Sequence, residues 1–241
     1  MNVWTEIGYN LPDTQEQRST SCETHGIDVE CLINGKCKQC AIDKQLQNES
    51  IELEKKINTK MIESNFIERY LDYKFEDYKT DNSPTQTLAV TTCKRYIANQ
   101  QAIKNGKGLV IIGSAGVGKT MLATIIIKQL LINNKSIKTV QYLKYYQLNF
   151  QRYSQFNLDK LVNCDFLVID EIGASNAQFR QDLLHEIVDL RYDKNKPIIL
   201  ISNLLLAEFT AIQSIPLQSR LRETTHIIEI NSKDYRNFEK Q

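Results

Sequence analysis

The chain has 241 residues, room for one full domain and a smaller one, and it balances 30 Lys and Arg against 29 Asp and Glu. A formal net charge of +1 excludes a whole-chain basic field of the kind that gathers nucleic acid, so any such site must be local. No apolar stretch approaches the ~20 residues of a membrane span, and the N-terminus lacks a basic region followed by an apolar one. The sequence therefore reads as cytoplasmic, with no membrane partner.

Residues 1–43 are polar and rich in cysteine, with turn signals at Leu11-Pro12-Asp13 and Asn34-Gly35. Four of the six cysteines, Cys22, Cys31, Cys37 and Cys40, crowd together here with His25. Cys22-x-x-His25 and Cys37-x-x-Cys40 can each grip one side of a tetrahedral ion, which predicts zinc rather than disulfides or free redox thiols. Cys22, His25, Cys37 and Cys40 complete the set, with Cys31 spare or substituting for His25. Four protein ligands leave no open position, so the zinc is expected to be structural and to replace a core that so short a module lacks. Cys93 and Cys164 stand alone near apolar residues. Residues 44–80 contain no Gly or Pro and place Leu46, Leu53, Ile57 and Met61 near one helical face. A helix is predicted, then a linker through Phe66, Tyr70, Phe75 and Tyr78.

From residue 81 onward, strand-like runs at 109–112, 138–142, 166–169, 198–201 and 226–230 alternate with helical runs, predicting an α/β domain with a five-stranded parallel sheet. The first strand runs into Gly113-Ser114-Ala115-Gly116-Val117-Gly118-Lys119-Thr120, and a helical run from Met121 to Asn133 follows. This strand, glycine loop and helix order is the phosphate-binding P-loop. The glycines let backbone N–H groups turn toward phosphate oxygens at the positive end of the helix. Lys119 is placed to reach the β- and γ-phosphates and Thr120 to ligate Mg²⁺, which predicts an ATP site.

The segment 141–156 is unusually aromatic. Bases stack on such faces, and Lys144 and Arg152 can meet phosphates, so Tyr145, Tyr146, Phe150, Arg152 and Tyr153 are the candidates for binding single-stranded DNA. About half of the segment, Tyr142 and Leu148 included, is expected to pack in the core instead. Phe166-Leu167-Val168-Ile169-Asp170-Glu171 is a buried strand ending in two carboxylates, on the sheet edge that carries the P-loop. Asp170 is expected to organise Mg²⁺ and Glu171 to polarise an attacking water. Asn203 ends the next strand, where it can orient that water or simply begin a turn. Arg220, with Arg222 nearby, is suited either to pair with a surface carboxylate or to enter a neighbouring subunit's site as an arginine finger.

Together, Gly113–Thr120, Phe166–Glu171 with Ile172-Gly173, the helix Ile187–Arg191, Ser202-Asn203, Ser219-Arg220-Leu221 and Lys233-Asp234-Tyr235-Arg236 resemble the DnaC/IstB-type AAA+ ATPases over about residues 65–240. The pattern is most like the DnaC-type replicative helicase loaders. The resemblance implies Walker A at Gly113–Thr120, Walker B at Asp170 and Glu171, sensor 1 at Asn203, an arginine finger at Arg220 and a late sensor at Arg236. It further implies an ATP-dependent helical or ring-like homo-oligomer and a DnaB-like helicase hexamer gripped by residues 1–60. It also implies single-stranded DNA contacts in the aromatic segment and a linker that approaches the adenine near Phe66, Arg69 and Tyr70. The expected function is helicase loading, with hydrolysis as a release switch. The alternatives are an IstB-like transposition helper acting on duplex DNA and a nucleotide-binding adaptor that does not hydrolyse. Only about eleven residues follow the last predicted strand, so no full helical lid is expected.

Overall fold

A computed structural model of the chain describes residues 24, 38–80, 83–149, 155–173 and 177–232. The chain divides into two compact units, Met1–Glu52 and Leu53–Gln241. What is described of the first is Thr24 and the beginning of helix α1 (Lys38–Glu63). Its turns are supported by the i,i+4 hydrogen bonds Gln39 to Asp43 and Gln45 to Glu49, both 2.9 Å, and Ile42, Leu46 and Ile51 are exposed. The helix begins six residues before the predicted start at 44, which puts Cys40 in its first turn.

In the second unit, the rest of α1 buries Ile57 and Met61 but leaves Leu53 exposed. Of the predicted apolar face, only the last two turns are therefore core. Two 3-10 turns, Glu68–Tyr70 and Phe75–Asp77, carry the chain on to α2 (Pro84–Ala98) and α3 (Gln100–Lys104). There follow β1 (Gly108–Gly113), α4 (Lys119–Asn133), β2 (Val140–Lys144), α5 (Gln155–Asn163), β3 (Phe166–Ile172) and α6 (Gln178–Asp193). The described elements end with β4 (Ile198–Ser202), α7 (Leu206–Ala211), α8 (Ile215–Thr224) and β5 (Thr225–Ile230). Among the described residues, no helix is long and apolar enough to cross a membrane.

The five strands form one parallel sheet in the order β2-β3-β4-β1-β5. Its central strands are buried on both faces, which is why they read as unbroken apolar runs rather than alternating ones. Leu109, Ile111, Val168, Ile199 and Ile201 pack on the side of α2 and α4, whereas Val110, Ile112, Leu167, Ile169 and Leu200 pack on the side of α6 and α8. The linker aromatics Phe66, Phe75 and Tyr78 are buried in the first of these cores. β2 follows the glycine loop in the chain but takes the sheet edge, and β4 is the strand that separates β1 from β3. Because all strands are parallel, their C-terminal ends at Gly113, Lys144, Ile172, Ser202 and Ile230 share one edge, where ligand sites of open α/β sheets form.

Candidate nucleotide site

The glycine loop leaves β1 at Gly113 and enters α4 at Lys119. Gly116 and Gly118 take φ of 78° and 87°, a region that suits glycine. A Cβ on Gly118 would lie 2.6 Å from the Tyr78 ring, and one on Gly113 would lie 2.2 Å from the Ile230 carbonyl oxygen, so neither position has room for a side chain. No side chain caps α4, leaving its first-turn N–H groups to face whatever occupies the loop. Lys119 is 6% exposed, and its ammonium donates to the carbonyls of Gly113 (2.8 Å) and Ser114 (2.7 Å). Thr120 Oγ1 donates to Asp170 Oδ2 at 2.7 Å. Sequence-distant residues of both motifs therefore meet directly.

At the end of β3 the pairing with β4 is irregular between Ile169 and Ile172, and Glu171 has φ of 62°. A bulge of this kind re-aims side chains at a strand end, and a left-handed residue other than Gly or Asn costs roughly 1–2 kcal/mol, a strain characteristic of functional sites. The Glu171 N–H donates to Asp170 Oδ1 at 2.7 Å, and Tyr142 donates to Asp170 Oδ2 at 2.8 Å. Glu171 Oε1 pairs with the Lys144 ammonium at 2.9 Å, which raises the Lys144 pKa. Lys144, expected to meet phosphate, is in fact held on a carboxylate. Hydroxyl and carboxylate oxygens beside an anion-binding helix end are the hard donors that Mg²⁺ and triphosphate require, so the residues present fit both.

The remaining predicted positions divide. Asn203 is exposed and follows Ser202, which pairs in register with Ile112 of β1 and donates to the Ile172 carbonyl at 2.7 Å. That places Asn203 at the ends of both the loop strand and the acidic strand. Arg220 lies on α8 in an ion pair with Asp189 of α6 at 2.9 Å, and Arg222 is exposed. Tyr145 is a correction: it is 1% exposed in the core beside α6, because a 3-10 turn at Tyr145–Gln147 directs it inward, so it offers no face to a base. Tyr146 is half exposed, and Phe150, Arg152, Tyr153 and Arg236 lie outside the described residues. So do Cys22, His25, Cys31 and Cys37; among the described residues no group of metal-binding side chains is present, and Cys40 is partly buried. Cys93 and Cys164 are buried, and burial pushes the Cys93 thiol up to about 12, as expected of inert core cysteines.

Two residues at this edge were not legible as site residues. Tyr78 donates to the Val117 carbonyl at 2.6 Å and so braces the glycine loop. Tyr142, read as core, is also the second hydroxyl on Asp170. Ser114 Oγ donates to the Ser232 carbonyl, and Thr85 both donates to the Asn231 carbonyl and accepts its N–H, so the end of β5 is tied to the loop and to α2.

A glycine loop after β1, an acidic pair on β3 and β4 between them define a P-loop nucleotide-binding domain of the AAA+ kind. Residues 43–241 match the family model described as IstB-like ATP binding protein, and the chain belongs to that family. It is 26% identical over 155 residues to the replicative helicase loader DnaC of Escherichia coli strain K12, a match covering 61% of this chain and 62% of that protein. The chain thus spans about 62% of the length of this relative. The fold is similar to the crystal structure of the DnaC helicase loader, with a TM-score of 0.59 and 24% identity over 68% of this chain and 99% of that one. It is similar also to the crystal structure of DnaI, with a TM-score of 0.57 and 24% identity over 70% of this chain and 93% of that one.

Proposed function

We propose that this protein is an ATP-dependent loader that delivers a replicative, DnaB-like helicase to single-stranded DNA. The observation that carries the reading is the meeting of Lys119, Thr120 and Asp170 around the glycine loop, in a chain whose relatives include a replicative helicase loader. The amides of Ser114–Thr120 and the Lys119 ammonium would hold the phosphates, with Thr120 and Asp170 holding Mg²⁺. Bound Mg-ATP supplies the phosphoryl group whose loss times the release of the helicase. Glu171 would take the proton of the attacking water, and leaving Lys144 would free its carboxylate for that task. Asn203 would orient the water, and Arg236 would approach the nucleotide from beyond β5.

Arg220 would complete the site of an adjacent copy in a helical or ring-like assembly, exchanging Asp189 for the charge that develops on the phosphates. Tyr146, with Phe150, Arg152 and Tyr153, would contact single-stranded DNA. Residues 1–60 would grip the helicase, with a zinc at Cys22, His25, Cys37 and Cys40, or Cys31 in place of His25, holding their fold; metal analysis of the purified protein would then find one zinc per chain.

Gel filtration with a replicative hexameric helicase, with and without ATP, tests the proposal. A stable complex that needs residues 1–60 is the expected result. Membership of the IstB-like family leaves one second reading, the transposition helper that the sequence resemblance also implies. Absence of a helicase complex together with ATP-dependent binding to duplex DNA would replace the loader by that reading.

A further inference from the structure

Asp170 is held by more than the P-loop hydroxyl. Tyr142 and Thr120 both donate to its Oδ2, at 2.8 and 2.7 Å, while the Glu171 amide occupies Oδ1. Tyr142 is 4% exposed on β2, the strand paired with β3, and its hydroxyl is the donor because a carboxylate oxygen can only accept. The ring has its own anchor. Its backbone N–H donates to the Ser64 carbonyl at 3.0 Å, just beyond the end of α1, and its face packs on Phe66 with ring centroids 5.3 Å apart. Ser64 and Phe66 are themselves buried. The same stretch is clamped to α4, since the buried Lys128 ammonium pairs with Glu54 of α1 at 2.6 Å and donates to the Leu71 carbonyl.

A carboxylate asked to organise a hydrated divalent cation gains from a fixed plane. Two of the donors on Asp170 come from residues close to the reacting groups, Thr120 and Glu171. Thr120 must turn its hydroxyl proton away from Asp170 when its oxygen becomes a metal ligand. The Tyr142 hydroxyl needs no such change. It is the one donor of the three that can keep Oδ2 in place in both states.

We propose that Tyr142 is the positioning residue of Asp170, fixing the carboxylate for Mg²⁺ and tying its orientation to the Ser64–Phe66 segment that follows α1. The inference rests on the nucleotide reading of the site. It makes the segment after α1 part of the metal site's support, although none of its residues touches Asp170.

The test is binding of a fluorescent ATP analogue to the full chain, measured without metal and across a Mg²⁺ titration. In Tyr142→Phe the ring and its packing on Phe66 remain and only the hydroxyl is lost. The Mg²⁺ midpoint should rise roughly tenfold, the scale typical of lost support around a metal ligand, while metal-free affinity and melting temperature stay at the wild-type values. Phe66→Ala, which leaves the hydroxyl in place but frees the ring, should move the midpoint in the same direction by less. An unchanged midpoint in Tyr142→Phe overturns the proposal, and so does an equal loss of metal-free binding, which marks a general structural role. Wild-type protein that binds no nucleotide at all would overturn the reading of the site and Tyr142's role with it.

Discussion

The two ends of β3 each carry an aspartate, and they are used in opposite ways. Asp165, just before the strand, accepts from the Lys138 and Thr139 amides and the Thr139 hydroxyl at 2.9–3.0 Å and pairs with Lys196 at 2.8 Å. Burial opposes ionisation there, yet the Lys196 pair and those donors bring its pKa down to about 2. Asp170, at the other end, is bonded mainly to hydroxyls, beside a left-handed Glu171 and an interrupted ladder. The N-terminal edge spends its carboxylate on joining strands; the C-terminal edge holds its carboxylate with a fixed Tyr142 hydroxyl and a Thr120 hydroxyl that can exchange partners. That difference separates an acid committed to the fold from one that the proposed function assigns to Mg²⁺.

The comparison breaks most visibly at Lys119. Lys119→Ala should weaken ATP binding by roughly 10²–10³-fold, the cost of removing one partner from a buried charge pair, without unfolding the protein. Equilibrium binding of a fluorescent ATP analogue checks it. Asp165→Asn should do the reverse, leaving ATP affinity unchanged while lowering stability by about 2 kcal/mol at pH 7. The Asp165 pKa is depressed in the folded state, so its stabilisation is present above the unfolded value near ~3.9 and fades as pH falls toward about 2. Denaturant titrations of the variant and the wild type should therefore converge across that window. The smallest effect belongs to Lys144. Its pair with Glu171 is about one third exposed and worth only ~0.5–1 kcal/mol, so Lys144→Ala should raise steady-state ATP turnover about two- to fivefold by freeing the carboxylate. A fall in turnover would mean that Lys144 helps to position Glu171.

The three central strands were legible because doubly buried strands announce themselves as apolar runs, the partly exposed edge strands β2 and β5 because they fall between helical runs, and the P-loop and acidic pair because their chemistry is local. β2 was displaced by two residues for a physical reason: Lys138 and Thr139 extend the strand-like pattern but use their amides on Asp165. The roles of Tyr142 and Lys144 depend on β2 lying beside β3, a pairing that residue spacing along the chain does not reveal. Tyr145 was misread because an aromatic run looks uniform until a 3-10 turn sends alternate members to opposite environments; Tyr146, its neighbour, is half exposed. The apolar positions of α1 share one helical periodicity, yet only Ile57 and Met61 meet the core, since periodicity identifies a face but not what covers it.

The most direct test of the site is ATP binding and single-turnover hydrolysis by the wild type and Glu171→Gln, side by side. The account predicts that both bind ATP with similar affinity and that the variant hydrolyses it at least ~10²-fold more slowly, as expected when a positioned general base is lost. Equal hydrolysis rates in the two proteins would contradict the role assigned to Glu171, and failure of the wild type to bind ATP would contradict the site itself.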